Sequence, residues 1–422
     1  MDRWNTLATI MRIRIPLGRT PAIHPTALRG QATFLYRRIA DRDHEVVGVG
    51  EVNSGPEPVF AADGRAWDWT FGRLGYDAWE EIHERWGRHG QNGPFSASHW
   101  FVPRWVIERQ GEEGFLHVLA GDEEPGQAFA ERLFRQVAPA SPQRSLQWHG
   151  RTSRQQYIAA AEQFLRHIHR GDIYEVNYCI ERTANDPEFD PFTAFAELQK
   201  GTEAPFSAFY HHEEQFVLCA SPERFLHFEG TRVTAEPMKG TRPRGRSMAE
   251  DDQLQRELAT NEKERSENIM AVDVMRNDLS RTAAPGSVRV LELCGVRSYP
   301  RVHQLVSTIV SERKATVSPW EVVRAAFPMA SMTGAPKLRA MELIDAAEER
   351  PRGLYSGTLG FFAPDGTGDL NVVIRTILFN SSTGNLSLTT GSALTALCDP
   401  EQEWEECAVK ARSVLHAIGH VG

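Results

Sequence analysis

Between Tyr174 and Thr390 the chain runs through short apolar or alternating stretches broken at irregular intervals by helical ones, with no regular strand–helix–strand alternation. That order constrains the fold more than any other feature. Neighbouring parallel strands need a long crossover, usually a helix, so runs of strands without one point to antiparallel sheets in an α+β fold. Residues 174–180 alternate cleanly, with Tyr174, Val176, Tyr178 and Ile180 on one face and Glu175, Asn177 and Cys179 on the other. Further strands are predicted over 32–39, 46–52, 100–108, 215–218, 225–228, 232–235, 287–292, 302–310, 355–362, 370–379 and 385–390. Helices are predicted over 77–86, 153–169, 250–279, 319–326, 336–348 and 401–418. The clearest opens with Ser153 and Gln156 in capping-box spacing, shows Tyr157, Ala161, Phe164, Leu165 and Ile168 on one face, and stops at Gly171.

The 422 residues allow one large or two ordinary domains. Residues 1–147 read as one N-terminal region and 148–422 as a second domain, with the polar, proline-containing segment 138–147 as linker. A net charge of −9 argues against nonspecific nucleic-acid or anionic-membrane binding. The five cysteines form no CxxC pair, which argues against zinc or a disulfide framework. No apolar run is long enough to span a membrane, and a cytoplasmic protein is expected.

Several stretches carry chemistry. Lys239 stands between Pro237, which favours extended backbone before it, and Gly240, which permits a sharp bend. Such a lysine is either a surface group in a basic turn or, if burial or neighbouring cations keep its amine neutral, a nucleophile. Glu264/Glu267 and Glu403/Glu406 are i,i+3 pairs that share a helix face. Each pair fits a solvated surface; together they also fit a hard cation such as magnesium, which takes one or two protein carboxylates plus substrate oxygens. Thr333-Gly334-Ala335-Pro336 precedes a helix, with Pro336 at its first position and Thr333 or a neighbour as cap. It is a plain helix start or an anion site. Arg375, inside an apolar strand, needs an internal carboxylate or a substrate one. Residues 390–393 read as a turn offering backbone N–H groups. Glu223 is a general acid if desolvated, or the partner of Arg224.

Together these stretches resemble the chorismate-utilising enzymes. The motifs are GDIYEVN (171–177), SPERF (221–225), PMKGTRPRG (237–245), ERSENIMAVDVMRNDLSR (264–281), VHQLVSTI (302–309), TGAPK (333–337), YSGTLGFF (355–362), VVIRT (372–376) and DPEQEWEECAVKA (399–411), in family order. Residues 71–77, FGRLGYD, extend the likeness into the N-terminal third. The resemblance implies an α+β sandwich of two large antiparallel sheets with outer helices and a cleft between its halves. It implies Mg2+ held by Glu267 and Glu406 with Glu264 and Glu403 in support. It also implies chorismate bound by Thr333, Tyr355, Arg375, Lys410 and the Gly391, Ser392, Ala393 turn.

Two positions separate the family's branches. Where isochorismate and salicylate synthases carry a lysine that activates water, this chain has Glu175. Where anthranilate synthases carry a small residue, it has Lys239, as aminodeoxychorismate synthases do. By resemblance, Lys239 attacks C2 as the C4 hydroxyl leaves, Glu223 protonates that hydroxyl, and ammonia adds at C4 with expulsion of the lysine. None of the five cysteines lies between glycines as a glutaminase nucleophile does, so a separate glutamine amidotransferase subunit is expected to supply ammonia, for 4-aminobenzoate and folate synthesis. The alternatives are an anthranilate synthase component I and, from another class, a non-catalytic chorismate- or tryptophan-sensing subunit. Three departures stand out: Gln304 with His303 beside it where histidine is common, Ala393 for glycine, and Glu175 for glutamine.

Overall fold

The structure, a computed structural model, describes residues 12–85, 87–89, 93, 95, 97–135 and 146–419. Most of the expected linker, 138–145, and the last residue of the 77–86 helix lie outside them. The described strands form a 12-stranded and a 10-stranded sheet, and every strand pair is antiparallel. This is the predicted α+β sandwich.

Both sheets draw strands from either side of residue 147. Thr33–Ile39 pairs with Phe206–His212 in the larger sheet, and Thr70–Leu74 pairs with Thr358–Phe362 in the smaller. The period-2 geometry of a strand sorts their side chains. On Thr33–Ile39, Phe34 and Tyr36 join the layer beneath the outer helices, while Leu35 and Ile39 point between the sheets. There they meet Phe71, Phe101, Leu359 and Phe361 of the smaller sheet. Each such large apolar side chain contributes about 1.5–3 kcal/mol when fully buried. The sheets approach so closely that a Cβ on Gly48 would sit 2.6 Å from the Phe71 ring. A buried polar clamp crosses the same gap: Arg37 reaches Asp369 (2.6 Å) and Asn371 on the opposite sheet.

Three predicted elements are broken, and the breaks shape the site. The single helix expected over 250–279 is two, Met248–Thr260 and Glu262–Ser280, because Asn261 ends one and caps the next by accepting from the Glu264 N–H. The strand expected over 370–379 divides into Thr367–Val372 in the smaller sheet and Thr376–Asn380 in the larger. The strand expected over 100–108 divides at Pro103-Arg104 in the same manner. A continuous apolar run cannot reveal such crossings, since both halves are buried whichever sheet they join. The 77–86 helix is short, with one turn at Tyr76–Ala78 and another at Trp79–Ile82.

Candidate active site

Two neighbouring crossings between the sheets open a cavity of about 420 Å³. One is Pro222-Glu223, between Gln215–Ser221 and Arg224–Glu229; the other is Val373 to Arg375. They are hydrogen-bonded together, Val372 N to Glu223 O (3.1 Å) and Ala220 N to Arg375 O (3.2 Å). Arg375 adopts φ +53° at its crossing, which turns it out of the strand direction and onto the cavity wall.

Lys239 reaches the cavity from the edge strand Met238–Pro243. A bulge at Gly240 (φ +71°) shifts the register there, and a Cβ on that glycine would approach Glu264 Oε2 to 2.8 Å. The lysine is buried, and its Nζ donates to Glu175 Oε1 and lies 4.0 Å from Glu267 Oε2. Burial alone would depress the ammonium. Glu175, then Glu267 and Glu223, outweigh it and hold the group above the usual lysine range. The amine is therefore not kept neutral by cations, as a free nucleophile requires. It rests as an ammonium with a carboxylate in direct contact. That contact also explains how Glu175 can be buried: its charge is paired.

Glu223 is buried beside them, and it is not the partner of Arg224, which instead bonds Asp369 (2.9 Å) and Glu236. Burial raises the Glu223 carboxyl to about 7, against the opposing pull of Ser331 and Lys239. A carboxyl able to hold a proton near neutral pH thus faces the same space as the lysine.

The two glutamate pairs sit on the first two turns of Glu262–Ser280 and Pro400–Ala417, capped by Asn261 and Asp399. All four line the cavity. Each meets a cation: Glu264 faces Arg242 (3.4 Å), Glu403 faces Lys263 (2.7 Å) and Glu406 faces Lys410 (2.6 Å). Lys263 also lies 3.9 Å from Glu267 Oε1, an oxygen buried without a hydrogen-bond partner among the described residues. Burial raises the Glu267 carboxyl to about 7. No three of the four bring oxygens within 4.8 Å of one another. The set is a ring of hard oxygen donors with ammonium groups between them.

Tyr355, Arg375, Gly391, Ala393 and Lys410 also line the cavity. Arg375 has no salt-bridge partner among the described residues; its Nη1 donates to Ser413 Oγ at 2.6 Å. Thr333 and Ser392 lie behind the wall. Thr333 Oγ1 donates to Met329 O (3.2 Å) and does not cap the following helix, whose N-cap is Pro336 without a side-chain bond. Ser392 Oγ is engaged with Tyr157 OH (2.6 Å). The turn expected over 390–393 is instead the interior of the strand Asn385–Thr395, paired with Glu175–Asn185. Gly391 matters there as a residue without a side chain: a Cβ would lie 2.5 Å from Asn177 Oδ1.

Sequence reasoning missed Asn177, Lys263 and Ser331, which also face the cavity. Two signals were present. Asn177 shares a strand face with Glu175, and Lys263 stands four residues before Glu267. His303 and Gln304 are both buried; His303 is bonded to Ser298 (2.7 Å) and Asp251 (3.0 Å), while Gln304 Oε1 has no partner.

Curated relatives carry related names. An aminodeoxychorismate synthase from Streptomyces griseus is 44% identical over 64% of this chain and 37% of its own length. The aminodeoxychorismate synthase component 1 of Klebsiella aerogenes is 38% identical over 68% of this chain and 63% of its own. An anthranilate synthase component I-like protein of Synechocystis is 32% identical over 82% of this chain and 72% of its own. The chain thus spans just over a third of the Streptomyces relative and less than two thirds of the Klebsiella one. In fold it is similar to the menaquinone-specific isochorismate synthase of Escherichia coli, with TM-score 0.77 and 18% identity over 97% of this chain and 94% of that one. No helix among the described residues is long and apolar enough to cross a membrane. The family described as chorismate binding enzyme matches residues 40–416, and the chain belongs to it.

Proposed function

We propose that this chain is an aminodeoxychorismate synthase component I, which converts chorismate and ammonia to 4-amino-4-deoxychorismate through a covalent bond to Lys239. The observation that carries this reading is the buried Lys239 amine, set between Glu175 and the raised carboxyl of Glu223 in one cavity. Glu175 takes a proton from the Lys239 ammonium. The freed amine bonds to C2, the ring double bond shifts, and the C4 hydroxyl leaves as water with the proton of Glu223. Ammonia then bonds to C4, the double bond shifts back, and the C2–Nζ bond breaks to restore the lysine. Splitting one substitution into two lowers each barrier. Arg375, lacking an internal carboxylate among the described residues, is free to take a substrate carboxylate, and Tyr355 lines the same cavity.

Glu267 and Glu406, with Glu264 and Glu403, would hold magnesium. The oxygen-only donor set and the unpartnered Glu267 Oε1 fit that ion. When bound, it supplies positive charge for a substrate carboxylate. Lys263 now bridges Glu403 and Glu267 and must yield its place. Lys263→Met is accordingly expected to tighten magnesium about tenfold, ~1.4 kcal/mol, read by titration calorimetry without substrate. An unchanged affinity would show that Lys263 does not compete with the ion.

Ammonia is expected from a separate glutamine amidotransferase subunit, and folate synthesis is the proposed use of the product. A cytoplasmic location suits five free cysteines. The deciding assay supplies chorismate, magnesium and ammonium. Aminodeoxychorismate as product supports the reading, whereas fluorescent anthranilate formed without an added lyase would sink it and favour the reading suggested by the Synechocystis relative's name.

Glu223 brings a pH prediction. As the acid, it acts only while protonated, and its folded value is raised to about 7, so activity is full below that value and declines as pH rises through it. The sign for stability agrees: a carboxyl whose pKa is raised on folding favours the native state at low pH and loses that contribution as it ionises. Glu223→Gln should lower kcat by roughly 10²–10⁴-fold and flatten the alkaline limb. A limb that survives the substitution belongs to another group.

A further inference from the structure

Away from the cavity, the described residues bring one mixed histidine and carboxylate group within metal-binding range: Glu51, His99 and His212, whose donor atoms all lie within 4.8 Å of one another. We propose that these three side chains form a second metal site, for a borderline transition ion of the zinc class, that clips the two sheets together. Glu51 follows the strand His44–Val49 and His212 ends Phe206–His212, both in the larger sheet; His99 opens His99–Val102 in the smaller.

The spacing fits. Glu51 Oε2 lies 3.4 Å from His99 Nε2 and 3.6 Å from His212 Nδ1. Ligands about 2.0–2.1 Å from a tetrahedral zinc stand roughly 3.4 Å apart, so these separations are already close to what the ion requires. The second observation is the state of His99. Its Nδ1 faces Tyr210 OH at 2.7 Å, while Nε2 is buried and has no hydrogen-bond partner among the described residues. When Tyr210 OH accepts from Nδ1–H, Nε2 offers its lone pair to an ion, and the phenol fixes the ring as outer partners fix metal-bound histidines. Thr33 Oγ1, 3.3 Å from His212 Nδ1, places one more oxygen at the same edge. The rings overlap at 3.9 Å with 21° between their planes, and seating an ion opens that angle. Two imidazoles with one carboxylate suit zinc, cobalt or nickel and disfavour magnesium, so this site and the all-oxygen cavity differ in ion choice.

Cobalt(II) tests the proposal, because its visible absorption separates tetrahedral nitrogen ligation from octahedral oxygen ligation. The purified full chain, titrated with cobalt in excess magnesium, is expected to take up one equivalent with tetrahedral bands. Those bands should vanish in His99→Ala and in His212→Ala, weaken at least tenfold in affinity in Glu51→Gln, and persist in Glu267→Gln. Glu51 is solvent-exposed, so its variant keeps the fold, and far-UV circular dichroism checks all four. Zinc should also raise the melting temperature of the native chain and not of His212→Ala, since the clip joins both sheets. The proposal is overturned if the folded chain shows no magnesium-resistant cobalt uptake, or if uptake survives loss of both histidines.

Discussion

Lys239→Ala is expected to lose chorismate turnover by on the order of 10⁴-fold or more, as removal of a covalent nucleophile does elsewhere. The amine is buried, aimed into the cavity and held by Glu175, so the substitution removes the reacting atom from the site. Rapid quenching followed by intact-mass measurement should find a chorismate-derived adduct on the native chain and none on the variant. Glu175→Gln separates the two parts of the machinery. It keeps a polar contact with Nζ but cannot take its proton, so kcat should fall while chorismate binding and the fold remain. Native-like turnover in Lys239→Ala, or an adduct that persists in it, would remove the lysine from the mechanism.

Asp369→Ala is expected to destabilise the whole chain by about 3–5 kcal/mol, the usual cost of leaving buried cations without their partner. Asp369 is 1% exposed and receives Arg37 (2.6 Å) from the opposite sheet and Arg224 (2.9 Å) from its own. Burial pushes its carboxyl up, but Arg224, His227 and Arg37 together hold it far below the usual range. The linkage sign follows: this carboxylate contributes stability above its unfolded pKa, and the contribution is lost as pH falls towards the folded value. Urea unfolding at neutral pH should show a lower midpoint with an unchanged slope, and the gap between the native chain and the variant should narrow in acid. A loss under about 1 kcal/mol would mean that water reaches the two arginines and the clamp is not what joins the sheets.

The site residues were legible where local chemistry is unusual. A lysine between proline and glycine, glutamates three apart on a helix face, and an arginine in an apolar run all found their way to one cavity. Thr333 and Ser392 did not, because their hydroxyls are engaged inside the fold by Met329 and Tyr157. The strand at 390–393 was mistaken for a turn since Thr-Gly-Ser looks like a loop; its pairing with Glu175–Asn185 depends on a strand more than 200 residues away.

By itself the sequence determined the antiparallel α+β class, the capping box and buried face of the helix that starts at Ser153 and the types of reactive group, because each follows from periodicity and from contacts within a few residues. Only the tertiary structure decided that apolar runs near 222 and 374 pass from one sheet to the other, that Arg37 of the first strands would meet Asp369, and that Lys239 would rest against Glu175. Those outcomes depend on register and long-range pairing, where a shift of a single residue sends a side chain to the opposite face, and local pattern carries no record of the partner.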